Sequence, residues 1–332
     1  MSVEIKTANL DPVRNTFGNV ARRIGGDKTA SRYQEGSFDL QPVTNFHYRP
    51  LWDPERELYD KRRTAITMAD WDALRDPRQF YYGSYVMHRS RLQDASEKNY
   101  ELVEKHGLLK RLPKGLTRRL KAALLPLRHV EWAANNNNCY MTAYGYGSAI
   151  TQGTMYNTMD RLAIAQYLSR IGLLLDDNTG ESLEAAKEAW MSDPAWQPLR
   201  RLVENSMVTK DWFELFVTQN LVLDSLLHPL VYRRFADELS DEGAAVMAML
   251  TEFMDAWFND SSRWVDATIK VAAAESDQNK HLINAWARTA VANVLDALLP
   301  VARLMYFEDG KKALDEVYAA FQARAAKLGL TV

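Results

Sequence analysis

Two short sequences within one proline-free stretch decide how this chain folds: EWAA at residues 131–134 and DRLAIAQ at residues 160–166. The region from Glu131 to Leu175 that contains them has a helical pattern of apolar side chains. No proline occurs between Leu127 and Asp193, which permits long helices here. The stretch therefore predicts helices and not strands.

The helical pattern continues through the second half of the chain. The segment Trp212–Leu227 is apolar nearly all round, which is typical of a helix buried on every side. One apolar stripe runs from Val246 to Thr268 and another from Ile283 to Leu304, where we expect a kink or break at Pro300. No run of alternating apolar and polar residues predicts a strand. We therefore predict an all-α protein.

The composition narrows the class of protein. The chain has 332 residues, 47% of them hydrophobic and 25% charged, which fits one or two globular domains. Its net charge of −2 argues against nucleic-acid binding as the role of the whole chain. Cys139 is the single cysteine, so we expect no disulfide within the chain and no thiolate metal cluster. No run approaches 18 apolar residues and the first residues lack an apolar signal segment. We expect a cytoplasmic protein that does not span a membrane.

The first 54 residues have a different character, with aromatic residues scattered among Pro, Asn, Asp, Gly and Gln. We predict an extended N-terminal arm over residues 1–54, followed by a helical domain over residues 55–332. Aromatic side chains at this density indicate a segment that lies on another surface, either of its own domain or of a partner. The interface candidates are Tyr33, Phe38, Phe46, Tyr48 and Trp52.

Two carboxylate–imidazole pairs occur one helical turn apart, Asp224 with His228 and Asp277 with His281. One such pair supplies two ligands, whereas a metal site needs three or four. We interpret these histidines as surface or capping residues.

A basic segment, residues 105–130, holds eight Lys and Arg residues and no acid, with leucines interleaved. Such a segment can meet an acidic protein face, anionic lipid or nucleic acid. No aromatic side chain is available there for base stacking. A solvated or partner-facing helix is the favoured interpretation.

The sequences at 131–134 and 160–166 resemble the metal-binding helices of a known family, the hydroxylases of bacterial multicomponent monooxygenases. Over essentially its whole length, including the stretch at 69–77, the chain is most similar to the β subunits of the phenol hydroxylase branch. The resemblance implies a ferritin-like helical bundle with additional helices. In the catalytic α subunit of that family, a Glu on one helix and a Glu-x-x-His step on the next hold iron, and the same pair occurs again later in the chain.

This ligand pattern is degenerate here. Glu131 matches the first ligand, but Arg161 and Ile164 stand at the Glu-x-x-His step. Glu214 is the candidate for the ligand of the third helix, and residues 248–252 contain no histidine. Such a set does not hold a di-iron centre, so we expect no metal and no catalytic residue in this chain. We expect Arg161 to pair with Glu131 or Glu214, and Ile164 to fill core volume.

The resemblance implies a noncatalytic structural (β) subunit of an oxygen-dependent di-iron phenol hydroxylase that converts phenol and related aromatics to catechols. It implies an α2β2γ2 assembly with the di-iron centre in α, a reductase with NADH, FAD and a 2Fe–2S cluster, and a small regulatory protein. No nucleic acid or membrane is expected as a partner. Two alternatives stay open: an active di-iron oxygenase subunit with unusual ligands, and a helical scaffold that binds an anionic partner through residues 105–130.

Overall fold

The regular structure of the protein is helical throughout. A computed structural model describes residues 16–41, 49–241 and 244–332, and no strand occurs in these ranges. The prediction of an all-α protein is confirmed. The α-helices are α1 (Gly18–Ile24), α2 (Arg32–Ser37), α3 (Tyr82–His106), α4 (Lys114–Leu124), α5 (Leu127–Tyr144), α6 (Ser148–Leu175), α7 (Glu181–Ser192), α8 (Gln197–Ser206), α9 (Trp212–Phe216), α10 (Asp224–His228), α11 (Phe235–Asp241), α12 (Val246–Glu275), α13 (Asp277–Tyr306) and α14 (Gly310–Lys327). Short 3₁₀ helices lie at Lys61–Arg63, Trp71–Ala73, Leu109–Arg111 and Phe307–Asp309.

The centre of the bundle is the antiparallel pair α5 and α6, which pack along most of their lengths. Hydrogen bonds mark their alignment, since Asn135 Nδ2 donates to the Thr158 carbonyl at 3.0 Å and Thr142 Oγ1 lies 2.8 Å from Thr154 Oγ1. α12 packs against α3, α6 and α13, and α13 packs against α14. The informative sequences at 131–134 and 160–166 thus face each other inside the bundle.

The apolar segment that begins at Trp212 is buried on all sides, as its sequence predicts. Its hydrogen bonding alternates, because π-helical turns at Val217–Leu223 and Pro229–Arg234 separate α9, α10 and α11. A π turn adds one residue to the α-helical spacing and rotates every later side chain relative to a regular helix. Positions on α10 therefore cannot be found by counting 3.6-residue turns from α9.

The stripes at 246–268 and 283–304 form the long helices α12 and α13. α13 continues through Pro300 without a break, so of the two predicted alternatives the break does not occur and the kink stays a prediction. The helical stretch Asp277–Lys327 is long and apolar enough, by length and composition alone, to cross a membrane. Half of its most apolar window is buried inside the protein, and Ile283 and Leu298 are fully buried. That burial is typical of a core helix.

The N-terminal segment is more ordered than an extended arm. The prediction of an extended conformation is wrong for residues 18–24 and 32–37, which are the helices α1 and α2. A capping box starts α2, in which Ser31 and Gln34 each accept the other's backbone N–H. α2 is fastened to α6, since Ser148 Oγ donates to the Ser37 carbonyl at 2.6 Å. The proposed boundary between residues 54 and 55 stays a prediction.

One close approach between helices depends on a residue without a side chain. A Cβ atom at Gly153 on α6 would lie 2.5 Å from the Cε2 and Cζ2 atoms of Trp264 on α12, whose ring is fully buried. We expect Gly153→Ala to lower the free energy of unfolding by about 1–3 kcal/mol, because the two helices must move apart. Chemical denaturation measures this change.

Gly115 on α4 is the matched control, since a Cβ atom there meets no atom within 4 Å. Gly115→Ala should raise stability by about 0.5–1 kcal/mol through helix propensity. Equal effects of the two substitutions would show that α6 and α12 do not approach as closely as described.

Candidate functional site

A fully buried arginine lies where the sequence pattern is degenerate. Arg161 on α6 is 1% exposed, and its Nη1 donates to Glu131 Oε2 on α5 at 2.9 Å. Its Nη2 donates to Asp224 Oδ2 on α10. His228 Nε2, one turn after Asp224, lies 2.9 Å from Nη1. We call these four side chains the Arg161 cluster, and they join three separate helices through one cation.

An aromatic ring completes the surroundings of the guanidinium. Arg161 Cζ lies 4.2 Å from the centroid of the Trp257 ring on α12. A desolvated cation over a tryptophan face gains a cation–π attraction. Arg161 therefore contacts α12 as well as α5 and α10.

The opposite charges of Glu131 and Arg161 keep each other ionised. Burial favours a raised pKa for Glu131, but the charge of Arg161 and its hydrogen bond outweigh burial and lower that pKa below its ordinary value. Burial opposes the charge of Arg161, while Asp224 and Glu131 hold its pKa above the ordinary range. Each charge therefore stabilises the other inside the core.

Asp160, the residue before Arg161 on α6, places its negative charge among side chains of α3 and α12. Asp160 accepts hydrogen bonds from Arg89 Nε and Nη2 at 2.9 Å each and from Tyr85 Oη at 2.8 Å, both on α3. Trp257 Nε1 donates to Asp160 Oδ2 at 2.9 Å. The indole of Trp257 thus contacts Asp160 through its edge and Arg161 through its face.

Asn137 and Asn138 of the asparagine tract belong to a buried amide layer beside the Arg161 cluster. Asn138 Nδ2 donates to Asn220 Oδ1 at 3.2 Å, and Asn157 Nδ2 donates to the same oxygen at 3.2 Å. Gln219 Nε2 donates to Asp224 Oδ1 at 3.0 Å and links the layer to the cluster. These amides satisfy one another, which a dry core requires of its polar groups.

Sequence reasoning identified part of this site. The expected pair of Arg161 with Glu131 is present. The second carboxylate beside Arg161 is Asp224 and not Glu214, which lies in the first turn of α9, where its N–H donates to Asp211. The correspondence of Glu214 to the ligand of a third helix stays a prediction. The interpretation of His228 as a surface or capping residue is wrong, since the imidazole is buried. The signal that could have placed Asp224 and His228 in the core is that they are ionisable residues in an otherwise apolar segment.

The Arg161 cluster does not fit a di-iron centre. The guanidinium occupies the space between the oxygens of Glu131 and Asp224 and the nitrogen of His228. Across the described ranges, no group of three or more His, Cys, Asp or Glu side chains is placed to hold a metal ion. The geometry therefore gives no support to an active di-iron subunit with unusual ligands.

The basic segment is divided between several surfaces. Lys110 pairs with Asp177 at 2.6 Å, while Lys114, Arg118 and Lys121 line a groove of about 430 Å³ between α4 and α7. Alanine side chains of α7 supply much of the groove's apolar lining. Binding of an anionic partner through residues 105–130 stays a prediction.

The aromatic interface candidates have different surroundings. Tyr33 and Phe38 are 7% and 2% exposed and pack with Val20 in a small cluster of their own chain. Trp52 is 49% exposed, with its ring edge-on to Tyr144. Phe46 and Tyr48 lie outside the described residues. The interface role of these aromatics stays a prediction.

Comparison with known proteins places the chain in a family. A model of the methane/phenol/alkene hydroxylases matches residues 52–276. The chain belongs to this hydroxylase family. It is 54% identical over 330 residues to the phenol 2-monooxygenase oxygenase component DmpL of Pseudomonas sp. (strain CF600), covering 99% of this chain and 98% of that one. It is 24% identical over 274 residues to the β subunit of the toluene-4-monooxygenase hydroxylase of Ectopseudomonas mendocina, covering 78% and 81%.

The three-dimensional structure agrees with this membership in the hydroxylase family. A crystal structure of xenon-pressurised phenol hydroxylase from Pseudomonas sp. OX1 contains a chain that matches with a TM-score of 0.92 and 44% identity, over 99% of each chain. The predicted ferritin-like bundle is thereby confirmed.

A substitution of Ile164 tests the prediction that this side chain fills core volume. Its side chain is fully buried on α6, one turn after Arg161. We expect Ile164→Ala to lower the free energy of unfolding by about 2–5 kcal/mol, because the cavity left behind loses packing. Leu162→Ala on the exposed side of α6 is the control, with an expected change within about 0.5 kcal/mol. Denaturant unfolding measures both, and full stability of Ile164→Ala would contradict a core role.

Proposed function

We propose that this chain is the noncatalytic structural subunit of a multicomponent, oxygen-dependent phenol hydroxylase. The observation that carries the proposal is the Arg161 cluster. In a chain similar along its whole length to a phenol 2-monooxygenase oxygenase component, a buried guanidinium stands where the sequence resemblance puts a metal ligand. The chain itself then performs no oxygen chemistry. Its task is to support a partner subunit that does.

The partner in this proposal is an α subunit that contains the di-iron centre and converts phenol and related aromatics to catechols. The assembly is α2β2γ2 and lies in the cytoplasm. A reductase with NADH, FAD and a 2Fe–2S cluster supplies electrons, and a small regulatory protein binds transiently. None of these cofactors has a place in the proposed role of this chain.

A surface patch on α5 and α6 is the part of the chain best suited to meet a partner. Trp132, Met155 and Leu162 are 54%, 43% and 45% exposed, and we call them the α5–α6 patch. They lie on adjoining helices whose alignment is fixed by the Asn135–Thr158 hydrogen bond. Tryptophan and methionine are enriched at protein interfaces, since they bury large apolar surfaces. Among the aromatic candidates, the half-exposed Trp52 also has surface to offer a partner.

We expect the purified full-length chain to contain no stoichiometric iron. The Arg161 guanidinium already neutralises the carboxylates that would have to bind the metal. Metal analysis after gel filtration of the separate chain, compared with the complete hydroxylase, measures this difference. Stoichiometric iron that is lost on Glu131→Ala substitution would overturn the noncatalytic assignment.

A charge placed in the α5–α6 patch should weaken assembly. In Leu162→Glu, a carboxylate without a cation would have to be desolvated against the partner, which is strongly unfavourable. We expect less α subunit to copurify with this variant, while its circular dichroism spectrum is unchanged. Hydroxylation of phenol by the reconstituted system should fall in proportion to the complex formed.

The control for this experiment adds the same charge elsewhere. Ala320 is exposed on α14, which packs on α13 and on the residues around α10, away from the patch. Ala320→Glu should assemble as the unmodified chain does. If both variants copurify normally with α, the α5–α6 patch is not the contact surface.

A further inference from the structure

Three ligand-type side chains converge on one cationic group in the core. Glu131, Asp224 and His228 come from α5 and α10, and each directs an oxygen or nitrogen atom at the guanidinium of Arg161. The two Nη1 distances are 2.9 Å. Carboxylates and an imidazole are the donor types that bind zinc and cobalt in proteins.

The donors have binding capacity that Arg161 does not use. Glu131 Oε1 is buried, and its contact to His228 Nε2 is long, at 3.4 Å. His228 Nδ1 and Tyr232 Oη are buried without a hydrogen-bond partner in the described part of the chain. Buried polar atoms without a hydrogen-bond partner are uncommon in native cores, so those beside Arg161 require a physical explanation.

We propose that the Arg161 guanidinium is a covalently attached cation that takes the place of a metal ion, and that its removal opens a divalent-metal site made by Glu131, Asp224 and His228. The side chain delivers its positive charge on a tether, so the three donors are held together without any metal. The chain can then fold where metal is scarce. This inference rests on contacts inside the chain and is independent of its role in an assembly.

The size and charge of the Arg161 guanidinium define which cation can replace it when the side chain is removed. Truncation of Arg161 at Cβ removes the whole guanidinium and leaves two carboxylates facing each other with no cation. Three protein ligands and a water molecule form a common coordination sphere for Zn²⁺, which Co²⁺ imitates with a visible spectrum. In the present structure the three donors are not placed to hold a metal ion, since they surround a larger cation. Metal–ligand distances of about 2.0–2.2 Å require them to draw in once that cation is removed.

The experiment uses full-length Arg161→Ala and Arg161→Ser with Co²⁺ as the probe. We expect each variant to bind one Co²⁺ per chain with visible absorption bands, and to unfold at a higher temperature as Co²⁺ is added. The unmodified chain should bind none at this site. Methylguanidinium, a free copy of the missing group, should displace Co²⁺, because both occupy the same space.

Two matched variants locate the site. Arg161→Ala combined with His228→Gln lacks the imidazole ligand and should bind Co²⁺ at least about tenfold more weakly. Arg128→Ala also deletes a partly buried guanidinium, but that group donates to the Leu183 carbonyl at 2.6 Å and not to carboxylates. Arg128→Ala should gain no Co²⁺.

Each result decides the proposal. Stoichiometric Co²⁺ that depends on His228 and competes with methylguanidinium supports it, as does a variant that folds only when Co²⁺ is present. A folded Arg161→Ala chain without Co²⁺ uptake overturns it. Variants that stay unfolded at every Co²⁺ concentration overturn it as well, because the metal ion should supply the missing charge.

Discussion

Two adjacent opposite charges in the middle of α6, Asp160 and Arg161, determine which helices can lie beside that helix. A charge in a dry core must have a partner of opposite sign, and breaking such a pair by removing one member is strongly destabilising. Asp160 pairs with Arg89 on α3, while Arg161 pairs with Glu131 on α5 and Asp224 on α10. A rotation of α6 by one residue would direct a carboxylate at two other carboxylates. The pairing therefore fixes the rotation of α6 as well as its neighbours.

Much of the fold could be predicted because most helices follow from the spacing of apolar residues within one stretch of sequence. The stripes that became α12 and α13 repeat at the helical period, and the all-round apolar segment after Trp212 is buried as expected. The pairing of Arg161 with Glu131 followed from the requirement that a buried charge be neutralised. Asp224 and His228 were recognised as a pair, but their burial was not predicted, because π-helical turns at Val217–Leu223 shift the register in front of them.

The N-terminal segment is more ordered than its local sequence predicts. Prolines and scattered aromatics indicate an extended chain, yet the Ser31–Gln34 capping box starts a helix and Arg23 pairs with Asp39 at 2.7 Å and Asp70 at 2.5 Å. The capping box was visible in the sequence, whereas the ion pair to Asp70 joins residues far apart in the chain. An ion pair between residues so far apart in the chain forms only when the whole fold brings them together.

The residue at position 161 also restricts how this protein can change over generations. A single substitution of Arg161 by Glu would bury a third carboxylate beside Glu131 and Asp224 with no cation to balance them. A histidine at position 164 alone would place a polar ring in apolar packing, next to a guanidinium that still blocks any metal. Both one-step routes to a Glu-x-x-His ligand set pass through a destabilised chain. Selection for stability therefore opposes each first step toward a Glu-x-x-His ligand set in this core, because the buried charge of Arg161 has to be balanced at every step.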